Sequence, residues 1–399
     1  MNNFLSDRIL QMAESATIKM SQLARDLRAQ GRDIINLSLG EPDFDTPEHI
    51  KEAAMQALRD GYTKYTPVPG LPELRQAILE KFLRDNELHY AVDEIVVSNG
   101  AKQSLANISL ALLNPGDEVI VFAPYWVSYY EIIRLSGAVP VIVKADIDQD
   151  YKVKPEQLEA AITPRTKLVL YSSPCNPTGS AFTREELEAL AAVLEKHPDI
   201  LVISDEIYEY IRFGGSHASI GSLENMRHRT ITINGMSKGF AMTGWRIGYM
   251  GAPKWVAKAC AKMQGQFTSG ANAFGQKAAA VALQSDMSPT YAMRDAFQKR
   301  RDLVVEKLGK IPGMKVNLPE GAFYSFPDIS AFFGKSAGSF TIKNSEDFCT
   351  YLLEEAGVAS VPGAPFGADN CFRISFAASE EELMAACERI DEAISKLIV

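Results

Sequence analysis

Between residues 94 and 251 the chain repeats one pattern, a short apolar β-rich run followed by a stretch with helical periodicity. The runs are EIVVS (94–98), EVIVFA (118–123), VPVIVK (139–144), KLVLYSS (167–173), ILVISDE (200–206), TITIN (230–234) and RIGYMG (246–251). Strands that are apolar on both faces must be covered on both faces, and strands joined through helices run mostly parallel. One intervening segment, TREELEALAAVLEKH, signals its helix start directly. Thr183 and Glu186 have the spacing of a capping box just before an apolar periodic stretch. The pattern therefore predicts an α/β domain on a mostly parallel seven-stranded sheet.

From about residue 291 the texture changes. Charged helical segments (FQKRRDLVVEKLGK, SEDFCTYLLEEAG, SEEELMAACERIDEAISKLI) surround short strands such as CFRISFA, which reads as a smaller α+β unit. A chain of 399 residues exceeds one ordinary core. The expected division is a large domain over 48–290 and a small domain from 1–47 with 291–399, the N-terminal segment serving as a lid.

Composition narrows the function classes. Apolar residues at 46% and charged residues at 23% describe a soluble globular chain. The net charge of −9, with no cluster of Lys and Arg that supplies a basic stripe, argues against a nucleic-acid surface. Five scattered cysteines without a C-x-x-C pair read as reduced cytosolic thiols, and five dispersed histidines offer no metal-ligand spacing. No apolar run approaches membrane-spanning length, and the N-terminus lacks the apolar core of a signal peptide. The expectation is a cytoplasmic protein without metal, nucleic-acid or membrane partners.

In open α/β sheets ligands gather at the carboxyl ends of strands, so the residues following each run matter most. EIVVS leads into NGAKQS, a glycine turn entering a helix, whose free N–H groups suit an anion. EVIVFA leads to Trp126, KLVLYSS to Asn176 in PCNPTG, ILVIS to Asp205 and Tyr208, and TITIN to Lys238. No G-x-G-x-x-G follows a strand, which counts against a dinucleotide fold. Taken singly, each residue has an ordinary role: a solvated lysine, a helix-capping Asp, a core Trp, a turn Asn. Together they supply what pyridoxal phosphate needs: a lysine for its aldehyde, a carboxylate for its ring nitrogen, a flat partner for its ring and donors for its phosphate.

SSPCNPTG, SDEIYEYI, NGMSKGFAMTGWRIGY and FRISFA together resemble the class I, fold-type I aminotransferases of the aspartate aminotransferase family, and the resemblance runs from LSLGEPDFDTP to the C-terminal strand. It implies the pyridoxal-phosphate fold and assigns roles by position. Lys238 resembles the lysine that forms a Schiff base with the cofactor and then acts as general base, and Asp205 the partner of the pyridine nitrogen. Tyr208 and Asn176 resemble donors to the ring hydroxyl oxygen, and Trp126 the stacking aromatic. Ser237, Arg246 and the Ala101–Lys102 backbone with Gln103 resemble the phosphate cradle. Arg373 resembles the arginine that takes the substrate α-carboxylate. Strand alternation agrees, since Phe372, Ile374 and Phe376 share one face and Arg373 points to the other. Gly40 matches a glycine whose backbone meets the substrate. Tyr65 matches a tyrosine that reaches the neighbouring subunit's phosphate, which implies a homodimer with shared sites.

No arginine for a distal carboxylate stands in QFTSGANAFGQK. The chain instead resembles the bacterial and plastid subfamily, in which a lysine of the GAK turn, here Lys102, and hydroxyl residues near the N-terminus, here Ser15 and Thr17, serve that purpose. That subfamily includes enzymes that also transaminate prephenate. The alternatives on the same fold are alanine, aromatic or kynurenine aminotransferases and carbon–sulfur lyases. A cofactor-binding regulator without catalysis is disfavoured by the presence of both Lys238 and Arg373. Cys175, beside Asn176, reads as a small filler.

Overall fold

The computed structural model describes residues 4–14 and 16–398. The seven apolar runs form the seven strands of one sheet: β1 (Ile95–Ser98), β2 (Glu118–Ala123), β3 (Val139–Lys144), β4 (Thr166–Ser172), β5 (Leu201–Asp205), β6 (Thr230–Gly235) and β7 (Gly248–Gly251). Their order is β1-β7-β6-β5-β4-β2-β3. The β2–β3, β2–β4, β4–β5 and β5–β6 pairs are parallel. Only β7 is inverted, antiparallel to both β6 and β1. That inversion carries a functional consequence, because the start of β7 lies beside the carboxyl ends of its neighbours: Gly248 is in register with both Ser98 and Gly235.

Separate apolar clusters cover the two faces of the sheet. Val96, Val119, Val121, Leu168, Leu170, Ile231 and Ile233 belong to one, and Ile120, Val169 and Val202 belong to another with Leu187, Leu190 and Leu194 of helix Arg184–Glu195. This explains why runs such as EVIVFA and KLVLYSS are apolar at consecutive positions. The expected capping box is formed, Thr183 Oγ1 accepting from the Glu186 N–H and the Glu186 carboxylate from the Thr183 N–H.

The C-terminal part builds its own core. Helices Ser288–Gly309 and Glu380–Ser395 pack against each other, and Phe297, Val304, Phe323, Phe348, Phe372, Ile374, Phe376 and Ile390 interlock in one cluster. The cluster also takes in Ile35 and Leu37, because strand Ile35–Asn36 pairs in parallel with Val358–Ala359. Strand Phe372–Ser375 is central to a three-stranded antiparallel sheet with Val361–Pro362 and Tyr324–Ser325. Among the described residues no helix is long and apolar enough to cross a membrane.

Candidate active site

The carboxyl ends of the large sheet, strand Phe372–Ser375 and the N-terminal helix Ala16–Ala29 enclose a cavity of about 440 Å³. Its wall includes Gly40, Ala101, Lys102, Trp126, Asn176, Asp205, Tyr208, Ser237, Lys238, Arg246, Arg373 and Thr17. Residues separated by more than three hundred positions thus meet in one place.

Asp205 ends β5 and is 3% exposed. Its Oδ2 accepts from the Tyr129 hydroxyl at 2.6 Å and its Oδ1 from the Ile207 N–H at 3.3 Å. Burial pushes this carboxyl up to about 6, against the opposing effect of the Tyr129 donor. Lys238 follows β6 and donates to the Gly40 carbonyl, with the Phe323 ring centroid 5.6 Å away. Burial, then the charge of Arg373, pushes its ammonium down to about 8.

Arg373 is 1% exposed. Alternation along its strand places Phe372, Ile374 and Phe376 in the apolar cluster and turns Arg373 the other way, its guanidinium 4.4 Å from the Tyr324 ring centroid. Nη1 donates to Asn176 Oδ1 at 3.0 Å and Nη2 to the Ser38 carbonyl at 2.8 Å, whereas Nε is buried without a partner among the described residues. Among the described residues no carboxylate pairs with Arg373, and neither Lys238 nor Asp205 belongs to an ion pair. A buried charge is normally paired, so three such groups around one cavity fit a ligand that carries its own charges.

One part of the cavity wall lies where β1 enters helix Ala101–Leu112, through Gly100 at φ +79°. The first N–H groups of that helix, at Ala101 and Lys102, have no intrahelical acceptor. The backbone of β7 presses directly on this turn: a Cβ on Gly248 would stand 2.2 Å from the Ala101 nitrogen. Arg246, at φ +59°, sits above the same turn, its Nη1 donating to the Thr243 carbonyl at 3.0 Å. The apolar stretch around Arg246 suggests a buried residue, and the structure corrects that. Arg246 is exposed, and it is Ile247, next in the chain, that enters the core.

Lys102 is exposed as a whole, but its ammonium lies 4.8 Å from the Trp126 ring centroid. Thr17, Ser21 and Arg25, at i, i+4 and i+8 on helix Ala16–Ala29, line the cavity from above. Ser15 lies outside the described residues. The structure does not bring Gln103 to the cavity wall: its Oε1 accepts from the Asn99 N–H and its Nε2 donates to Thr268 Oγ1, both at 2.6 Å, so its side chain closes the turn instead. Tyr65 is also absent from the wall and is 98% exposed. The Cys175 thiol reaches the Pro124 carbonyl at 3.4 Å and burial raises its pKa, as suits a filler.

Sequence reasoning missed Tyr129, Tyr324 and Arg25. Tyr129 sits in the first turn of helix Ser128–Leu135, three residues after Trp126, and its ring meets that of Trp126 edge-on. Tyr324, whose hydroxyl bonds that of Tyr208 at 2.8 Å, carries no local signal.

The class I and II aminotransferase family model matches residues 32–390. The chain is 49% identical over 390 residues to the aspartate/prephenate aminotransferase of Cereibacter sphaeroides, covering 97% of this chain and 98% of that one. It is 48% identical over 395 residues to the bifunctional aspartate aminotransferase and glutamate/aspartate-prephenate aminotransferase of Petunia hybrida, covering 98% of this chain and 82% of that one. The crystal structure of the aspartate aminotransferase from Rhizobium meliloti superposes with a TM-score of 0.96 at 45% identity, each chain covered in full. With a fold, a strand-end site and a family match that agree over most of its length, the chain belongs to the class I and II aminotransferases.

Proposed function

We propose that the protein is a pyridoxal-phosphate-dependent aminotransferase that moves the amino group of aspartate to 2-oxoglutarate, giving oxaloacetate and glutamate, and that takes prephenate as a further acceptor. The observation that carries this reading is the buried guanidinium of Arg373, held by neutral acceptors and free of any carboxylate among the described residues, in the same cavity as Lys238 and Asp205.

The residues fit the cofactor group by group. Lys238 would hold its aldehyde, Asp205 its ring nitrogen, Trp126 its ring face, and Tyr208 and Asn176 its ring hydroxyl oxygen. Ser237, Arg246 and the helix start at Ala101–Lys102 would hold its phosphate. Bound there, pyridoxal phosphate supplies an electron sink for the charge left at the substrate Cα. Arg373 grips the α-carboxylate bidentately, which fixes the substrate relative to Lys238. An amine whose pKa is lowered to about 8 is partly neutral near physiological pH, so Lys238 can take the proton from Cα. Lys102, Thr17 and Ser15 receive the distal carboxylate, and helix Ala16–Ala29 closes over it to exclude water. Tyr65 reaches the second copy's phosphate in a homodimer, and residues 48–290 form the cofactor-binding domain.

The relatives named as aspartate and aspartate/prephenate aminotransferases support this substrate class. The test is the visible spectrum of the purified protein loaded with pyridoxal phosphate. Aspartate and glutamate should bleach the yellow colour, alanine and phenylalanine should leave it, and prephenate should restore it after bleaching. Bleaching by alanine or phenylalanine alone overturns the substrate assignment, and a protein that never becomes yellow overturns the role of Lys238.

A further inference from the structure

The contact between Tyr129 and Asp205 is the tightest polar contact that Asp205 makes, and none of the roles above uses it. Tyr129 lies on helix Ser128–Leu135, 1% exposed, wedged edge-on against Trp126 with ring centroids 5.6 Å apart. Its hydroxyl donates to Asp205 Oδ2 at 2.6 Å. An ionised carboxylate has only acceptors, so the phenol is the donor in this pair. Tyr129 is itself raised well above its ordinary value of 10, by burial first and then by Asp205, and so it keeps its proton throughout the working range.

We propose that Tyr129 is a positioning residue, whose hydroxyl fixes the rotation of the Asp205 carboxyl group and holds it ionised, so that a carboxylate rather than a carboxylic acid faces the cofactor's ring nitrogen. The surroundings make such a donor necessary. Asp205 is buried at the end of β5, and desolvation works against its charge. The other groups that bear on it are Glu206 and Lys238, with Tyr208 and Cys175 close enough to sense its charge. Glu206 opposes ionisation, and its own carboxylate is occupied elsewhere, by Ser204, Ser219 and His217. Lys238 favours ionisation, but less than the Tyr129 and Ile207 donors do. Since Lys238 is to be bonded or neutral during turnover, its charge is an unreliable counterweight. The uncharged Tyr129 donor is not lost when Lys238 changes state.

The inference rests on the proposed function for its purpose but is tested first without the cofactor. Tyr129→Phe removes only the hydroxyl and keeps the ring against Trp126, so the core stays filled. In the apoprotein, the protonated-carboxyl band assigned to Asp205, by its loss in Asp205→Asn, is followed against pH by difference infrared spectroscopy. The midpoint should rise by roughly one pH unit or more in Tyr129→Phe, as loss of a hydrogen bond to a charged group predicts. An unchanged midpoint overturns the proposal.

A second arm uses the loaded enzyme in a double-mutant cycle. Tyr129→Phe should weaken retention of pyridoxal phosphate, measured by equilibrium dialysis, roughly tenfold in the native background and not at all beside Asp205→Asn. An equal loss in both backgrounds assigns Tyr129 a merely structural role and overturns the proposal. If Asp205→Asn itself retains the cofactor unchanged, the role of Asp205 in the proposed function fails, while the infrared result still decides whether Tyr129 controls its ionisation.

Discussion

Arg373 and Asn176 are 197 residues apart in sequence, and Nη1 of the first donates to Oδ1 of the second at 3.0 Å. With the Ser38 carbonyl on Nη2 and the Tyr324 ring beneath, the guanidinium is oriented by neutral neighbours, and no carboxylate among the described residues compensates its charge. A planar two-pronged donor held this way matches a carboxylate, and a lysine ammonium cannot reproduce the geometry. Arg373→Lys should therefore lower kcat/KM for aspartate roughly 100-fold, about 2.7 kcal/mol, mostly through KM. Steady-state kinetics with aspartate and 2-oxoglutarate checks this, and an unchanged KM would remove Arg373 from the substrate site.

Lys238 gives a pH signature in the apoprotein. Its amine, pushed down to about 8 by burial and then Arg373, is the nucleophile only when deprotonated. The rate at which apoprotein captures pyridoxal phosphate should climb about tenfold per pH unit below that value and level off above it, as followed by stopped-flow absorbance. Lys238→Ala should abolish capture at every pH.

Asp205 trades stability for function. Its folded-state value, about 6, lies above its ordinary 3.8, so the native apoprotein binds the proton more tightly than the unfolded chain does. Stability therefore falls as pH rises through this window, and above it the ionised, buried group costs up to about 3 kcal/mol. Asp205→Asn should raise the apoprotein Tm at pH 8 but change it little at pH 4, while loading with pyridoxal phosphate stabilises the variant less than the native protein. Scanning calorimetry at the two pH values, with and without cofactor, checks both halves.

Lys102 tests the distal-carboxylate assignment. A contact made only by dicarboxylic substrates should disappear selectively, so Lys102→Ala should cut kcat/KM for aspartate at least tenfold and leave that for alanine within about twofold. If discrimination between the two survives intact, Lys102 is not the ligand and Thr17 or Arg25 becomes the candidate.

Behind the site, Lys81 is wholly buried and forms an ion pair with Glu209 as well as a 2.6 Å hydrogen bond to Asn86. Removing one member of a buried pair strands the other. Lys81→Met should destabilise the protein by about 3–5 kcal/mol, and adding Glu209→Gln should recover part of the loss. Urea unfolding monitored by circular dichroism provides the comparison.

Much of this molecule was legible in its residues, for identifiable reasons. A strand buried on both faces must be apolar at consecutive positions, so runs such as EVIVFA and KLVLYSS announced themselves, as did the Thr183–Glu186 cap. Ligands of a parallel sheet lie just past the strand ends, so Trp126, Asn176, Asp205 and Lys238 could be found by reading one step beyond each run. Arg246 escaped this rule because it precedes its strand. The inversion of β7 turns a strand's beginning toward the others' ends, and neither composition nor periodicity encodes pairing direction.

Local chemistry thus determined the α/β class, the strand positions and the type of groups at the strand ends, because burial and backbone pairing act over a few neighbouring residues. The tertiary structure alone decided which distant groups share a charge environment. It set Tyr129 on Asp205 and Tyr324 on Tyr208, turned the side chain of Gln103 into the turn, and left Arg373 buried with no carboxylate among the described residues beside it. Such relationships depend on the order in which strands assemble and on the close approach of segments hundreds of residues apart. A linear pattern of apolar and polar residues carries no record of either.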